Sequence, residues 1–175
     1  TGGDRSTAIG YHSMGNDSTG TGGQHNSALG FGTLRQNSAS GLVAVGYSVL
    51  NANTSGEDNV AIGYESMIVN TTGSYNTTLG YRALTSNTTG NYNTAIGRQA
   101  LKTNVHGDGN VAVGYQALYT AAPADGTGYN VAVGHKALYD LTDGVYNIAL
   151  GWLAGENITT GDNSVIIGNN AGQAM

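Results

Sequence analysis

The residues that chemistry would draw on are four histidines, eleven carboxylates and many serines in a chain of 175. His12, His25, His106 and His135 share no common setting, and no Ser-His-Asp order, paired carboxylate or phosphate-cradling loop stands out. Gly-x-Gly occurs as "GDG" and "GTG", but with no helix to open. Asp4, Asp58, Asp108, Asp143 and Asp162 recur, most of them beside glycine. Calcium needs several oxygen ligands, and single carboxylates at wandering offsets supply too few, so these read as solvated turn residues. Cysteine is absent, which removes thiolate chemistry and disulfides. The expectation is a non-catalytic chain with no metal and no cofactor. Only a threefold axis, gathering three copies of one histidine, would make an ion site.

Binding is the chemistry left. Tyr11, Phe31, Tyr47, Tyr64, Tyr81, Tyr115 and Trp152 each follow a glycine, in a stripe that Arg98 and His135 interrupt. Such rings stack on sugars or, without any ligand, cover a corner and brace neighbouring strands. The stretches "GNDSTGTGGQ" (15–24) and "TAAPADGTGY" (120–129) lie in the two glycine spacings of 20 residues where 17 is usual. Insertions of this kind become surface loops, where binding concentrates. Tyr119, Asp125 and Tyr129, together with Trp152, are therefore the candidate receptor contacts. A threonine-rich corner, "NTTG" (70–73), "SNTTG" (86–90) and "NITTG" (157–161), has the look of an ice-binding array, but turn chemistry explains it without a ligand. Asn70, Asn76, Asn87 and Asn157 also stand in N-x-Ser/Thr sequons, which turn chemistry explains equally well.

The elements that position these residues announce themselves by repetition. "NVAIGYESM" (59–67) returns as "NVAVGYQAL" (110–118) and "NVAVGHKAL" (130–138). The glycine of each such unit is Gly10, Gly30, Gly46, Gly63, Gly80, Gly97, Gly114, Gly134, Gly151 and Gly168, spaced 20, 16, 17, 17, 17, 17, 20, 17 and 17. Counting from that glycine, position −1 is always Ile, Leu or Val, and position +4 is Leu or Met except at Gly155 and Gly172. Asparagine fills position −4 in seven units, among them Asn59, Asn76, Asn93, Asn110, Asn130 and Asn147, and a second glycine stands at −7 in eight. A fixed period of this length is the signature of a stacked solenoid.

A 17-residue unit is too short for two helices, and its β-branched interior bounded by Gly and Asn predicts two short strands and two turns per coil. Ten coils at the inter-strand spacing give a rod about 45 to 50 Å long. Asparagine is expected to bond up the rod through its amide, and the glycine to let the chain turn at each corner. The leucine at +4 and one aliphatic of the strand are expected to fill each coil. In "VAI" and "VAV" both faces of the strand are apolar, and a strand apolar on both sides normally has both covered. This predicts a homo-oligomer.

Composition narrows the partners. With 6 Lys+Arg against 11 Asp+Glu there is no basic footprint for nucleic acid, and no apolar run is long enough to insert into a bilayer. One domain, residues 1–175, accounts for the length. The repeat is cut at both ends, which reads as a fragment of a longer fibrous protein.

The units "NVAIGYESM", "NTAIGRQAL", "NVAVGYQAL" and "NSALGFGTL" resemble the head repeats of trimeric autotransporter adhesins, the YadA-like heads, which are similar to repeats in bacteriophage tail-fibre and host-recognition proteins. The resemblance covers essentially the whole chain, although the period here is longer. It implies an all-β, left-handed parallel β-roll of about ten coils, assembled as a homotrimer. It further implies an extracellular protein, on a virion tail fibre or a bacterial outer surface, that attaches to a host cell-surface glycan or protein. The alternatives are a purely structural rod or spacer, and an ice- or polysaccharide-binding solenoid.

Overall fold

The computed structural model describes residues 5–15, 23–121 and 127–173. Each unit contributes one parallel strand: β1 (Thr7–Ile9), β2 (Ser27–Leu29), β3 (Val43–Tyr47), β4 (Val60–Tyr64), β5 (Thr77–Leu79), β6 (Thr94–Ile96), β7 (Val111–Val113), β8 (Val131–Val133), β9 (Ile148–Leu150) and β10 (Val165–Ile167). They form one ten-stranded sheet in chain order, with no helix among the described residues. The chain is thus an all-β solenoid of about nine turns. Register follows the repeat: Ala44 lies beside Ala61, Gly46 beside Gly63, and Ala112 beside Ala132. The longer spacing before Gly134 does not break the stack, because Asp108 bridges to Gly128 and the Tyr129 N–H donates to the Asp108 carbonyl at 3.0 Å.

The second strand expected in each coil is absent among the described residues. Positions +2 and +4 instead lie in the left-handed region, as at Arg82 (φ 53°) and Leu84 (φ 50°), so the chain bends continuously. Coil-to-coil bonding persists there without a regular strand: Leu84 N–H donates to the Ala100 carbonyl at 3.0 Å, and Leu101 N–H to that of Ala117 at 2.9 Å.

The interior also differs from expectation. The small residue at −2 points inward (Ala44, Ala61, Ala95, Ala112 and Ala132 are all 0 % exposed), while the Val, Ile, Thr or Ser at −3 and the aliphatic at −1 face outward. The thin core is already occupied by the leucine or methionine at +4, the small residue at +3 and two columns of asparagine. Only a methyl group fits between them. Where Thr78 replaces the inward alanine, Ser66 stands opposite and the two hydroxyls bond at 2.6 Å, so the buried polar atoms stay paired.

One asparagine column is the expected one at −4. Asn76, Asn93, Asn110, Asn130 and Asn147 each donate from Nδ2 to the preceding Oδ1 at 3.1 to 3.2 Å, except that Asn93 reaches its predecessor through its backbone N–H at 2.9 Å. The second, at +7, runs through Asn37, Asn53, Asn70, Asn87 and Asn104 at 2.8 to 3.1 Å. The two converge on the carbonyl at −7: Gly90 accepts from Asn76 at 2.9 Å and Asn87 at 3.0 Å. Asn70, Asn76 and Asn87 are fully buried, so these three sequons are sealed in the folded chain.

The key glycines are held by contact as well as conformation. Gly97 has φ 131° and Gly114 φ 138°, and a Cβ on either would run into the glycine carbonyl of the next coil, Gly114 or Gly134.

Candidate binding surface

Alternation along the strand sends positions −3, −1 and +1 to one outward face. Its −1 column is wholly aliphatic, and Ile9, Leu29, Leu79, Val133, Leu150 and Ile167 are exposed there. Its +1 column is the aromatic stripe. The rings stack along the rod: Tyr11 on Phe31 at 5.5 Å, Phe31 on Tyr47 at 5.1 Å, Tyr47 on Tyr64 at 4.9 Å and Tyr64 on Tyr81 at 5.4 Å. Arg98 and His135 do not interrupt it. The Arg98 guanidinium lies 5.4 Å from the Tyr81 ring and 5.5 Å from that of Tyr115, and His135 stacks between Tyr115 (5.1 Å) and Trp152 (6.2 Å). Planar cations and imidazoles use their faces as phenols do.

Other columns continue the pattern. At −5, a column of which only Tyr129 was expected, Tyr75 stacks on Tyr92 at 5.0 Å and Tyr129 on Tyr146 at 5.5 Å, all four exposed. At +5, Tyr119 stacks on Tyr139 at 4.9 Å, with Lys102 above the first ring and Lys136 above the second, each at 4.9 Å. The candidate contacts therefore separate: Tyr119 belongs to the +5 column, Tyr129 to the −5 column and Trp152 to the +1 column. Asp125 lies outside the described residues, as do 16–22 and 122–126 of the two insertions. The cue that would have found Tyr75, Tyr92 and Tyr146 is their shared offset from the key glycine.

At the corner the threonine following the buried asparagine is engaged: Thr71 Oγ1 donates to the Thr88 carbonyl at 3.0 Å, and Thr54 Oγ1 to that of Thr71 at 3.0 Å. At +2, Arg82 pairs with Glu65 at 2.6 Å. The negative charge of Glu65 also holds the Tyr64 phenol above its usual range. Among the described residues no three of His, Asp and Glu gather where they could hold a metal ion.

Fold and surface together define a β-solenoid repeat protein with one apolar, aromatic-edged face. No family model matches the chain, and no curated protein or solved structure is significantly similar to it.

Proposed function

We propose that the chain is the head module of a trimeric extracellular fibre or adhesin, on a virion tail fibre or bacterial surface, which attaches to host surfaces by multivalent display. In this reading three left-handed rolls associate through the −3 and −1 columns, with the aromatic column at the margin. The observation that carries it is the uncovered apolar face. At about 45 Å by about 15 Å, with Thr7, Ser27, Thr77 and Thr94 among its −3 residues, the face amounts to roughly 700 Å², close to one partner's share of a standard interface. Three linked copies then bind through effective concentration even where each contact is weak.

A structural spacer is the second reading. It is favoured by the ring stacking, since rings piled along the rod spend their faces on one another. Binding of the labelled protein to intact bacterial and animal cells separates the two. Attachment that falls about tenfold or more when Ile96→Lys splits the assembly supports the adhesin, and no attachment to any cell leaves the spacer.

A further inference from the structure

We infer that the ligand of this head is an acidic glycan, a sugar chain bearing carboxylate or sulfate, and that it docks on the turn following β6 and β7. This rests on the attachment reading above. The chain carries 11 acidic residues, yet none lies between Glu65 and Asp108, where Arg82, Arg98 and Lys102 all stand. Arg82 is neutralised by Glu65. Arg98 and Lys102 have no carboxylate partner among the described residues, and both pair instead with a phenol one coil on: Arg98 Nη1 with Tyr115 Oη at 3.2 Å, and Lys102 Nζ with Tyr119 Oη at 2.9 Å. Between them Gln116 Nε2 donates to Gln99 Oε1 at 3.1 Å.

Two adjacent turns thus carry cation–phenol, amide–amide and cation–phenol pairs at positions +1, +2 and +5, and none of the six side chains is buried. Guanidinium and ammonium groups take carboxylate or sulfate with charge-assisted bonds. Amides and phenols give and take bonds with sugar hydroxyls. A neutral glycan would leave both cations unanswered. Nucleic acid is disfavoured, because the two cations of this site, in a chain of net charge −5, make too small a footprint for a polyphosphate.

The test titrates the assembled protein by calorimetry with sialyllactose, a sulfated heparin oligosaccharide, lactose and vesicles of anionic phospholipid, and assays cell attachment on the same sample. The expected result is binding of at least one acidic sugar, with lactose and vesicles unbound. Arg98→Gln with Lys102→Gln lowers that affinity about tenfold or more, Arg98→Lys keeps part of it, and Lys136→Gln, whose lysine already faces Glu156, changes it less than about twofold. Sialyllactose bears a carboxylate and no sulfate, so its binding shows that carboxylate suffices. Failure to bind either acidic sugar, equal binding of lactose, preference for vesicles, or an unchanged affinity in a folded double variant overturns the assignment. Cell attachment that survives such a failure leaves the adhesin reading standing, and its absence removes both.

Discussion

Leu118 occupies a backbone conformation that leucine seldom adopts (φ 51°), and every Leu or Met described at +4 does the same. Val, Ile and Thr are abundant in this chain, yet none stands at a left-handed position among the described residues. The reason is steric: a branched Cβ has no room at positive φ, whereas Leu and Met branch later or not at all. The two units that break the +4 rule do so with Gly155 (φ 64°) and Gly172 (φ 73°), residues at ease in that conformation. Leu118→Met should therefore cost less than about 1.5 kcal/mol, and Leu118→Ile, of equal volume, about 1 to 3 kcal/mol more, by chemical denaturation. A second residue-scale expectation concerns pH. Below the ordinary phenol value of 10.0, Tyr64 is protonated folded and unfolded alike. As pH rises through the window between that value and its raised one, the folded chain keeps a proton the unfolded chain loses, so stability falls. Ring-carbon NMR should find Tyr64 titrating late, and Glu65→Gln should bring it back toward 10.0.

Ladders are the unit at the scale of the element. The +7 column passes from Asn104 to Ala121, Leu141 and Ile158, so Asn104 Oδ1 is left buried and unpaired at the boundary. Two substitutions of the same kind should then differ. Asn87→Leu strands the Oδ1 of Asn70 inside the ladder while the Asn104 orphan remains, costing about 1 to 3 kcal/mol; Asn104→Leu only moves the existing orphan to Asn87 and should cost less than about 1 kcal/mol. Thermal unfolding of the pair checks this, and equal losses would contradict it. Period, register and the −4 column are legible in the sequence because each recurs at one offset. The direction of the strand is not. Ala61 and Ile62 are both apolar, and only the space left by Met67 and the asparagines decides that the alanine goes in. The bend that takes the place of a second strand is hidden for a related reason: its left-handed residues are mostly not glycines, so nothing in their type marks it. Arg98 and His135 look like gaps by residue type, although their planes continue the stack.

At the scale of the whole molecule, the rod closes its interior by itself but leaves an unbroken aliphatic column at −1 facing outward from Ile9 to Ile167. No helix or loop of the described chain covers that side, and water contact along ten aliphatic residues is the cost that the proposed association would remove. A charge placed there should act on assembly before it acts on the fold. Ile96→Lys is expected to give a folded, β-rich chain of lower molar mass, seen by circular dichroism and light scattering together, because its side chain points away from the core. The measurement that tests the account most directly is the molar mass of the unaltered chain in solution by light scattering. A β-rich species of three times the 17.8 kDa chain mass is the predicted result, and a stable folded monomer at micromolar concentration would contradict it.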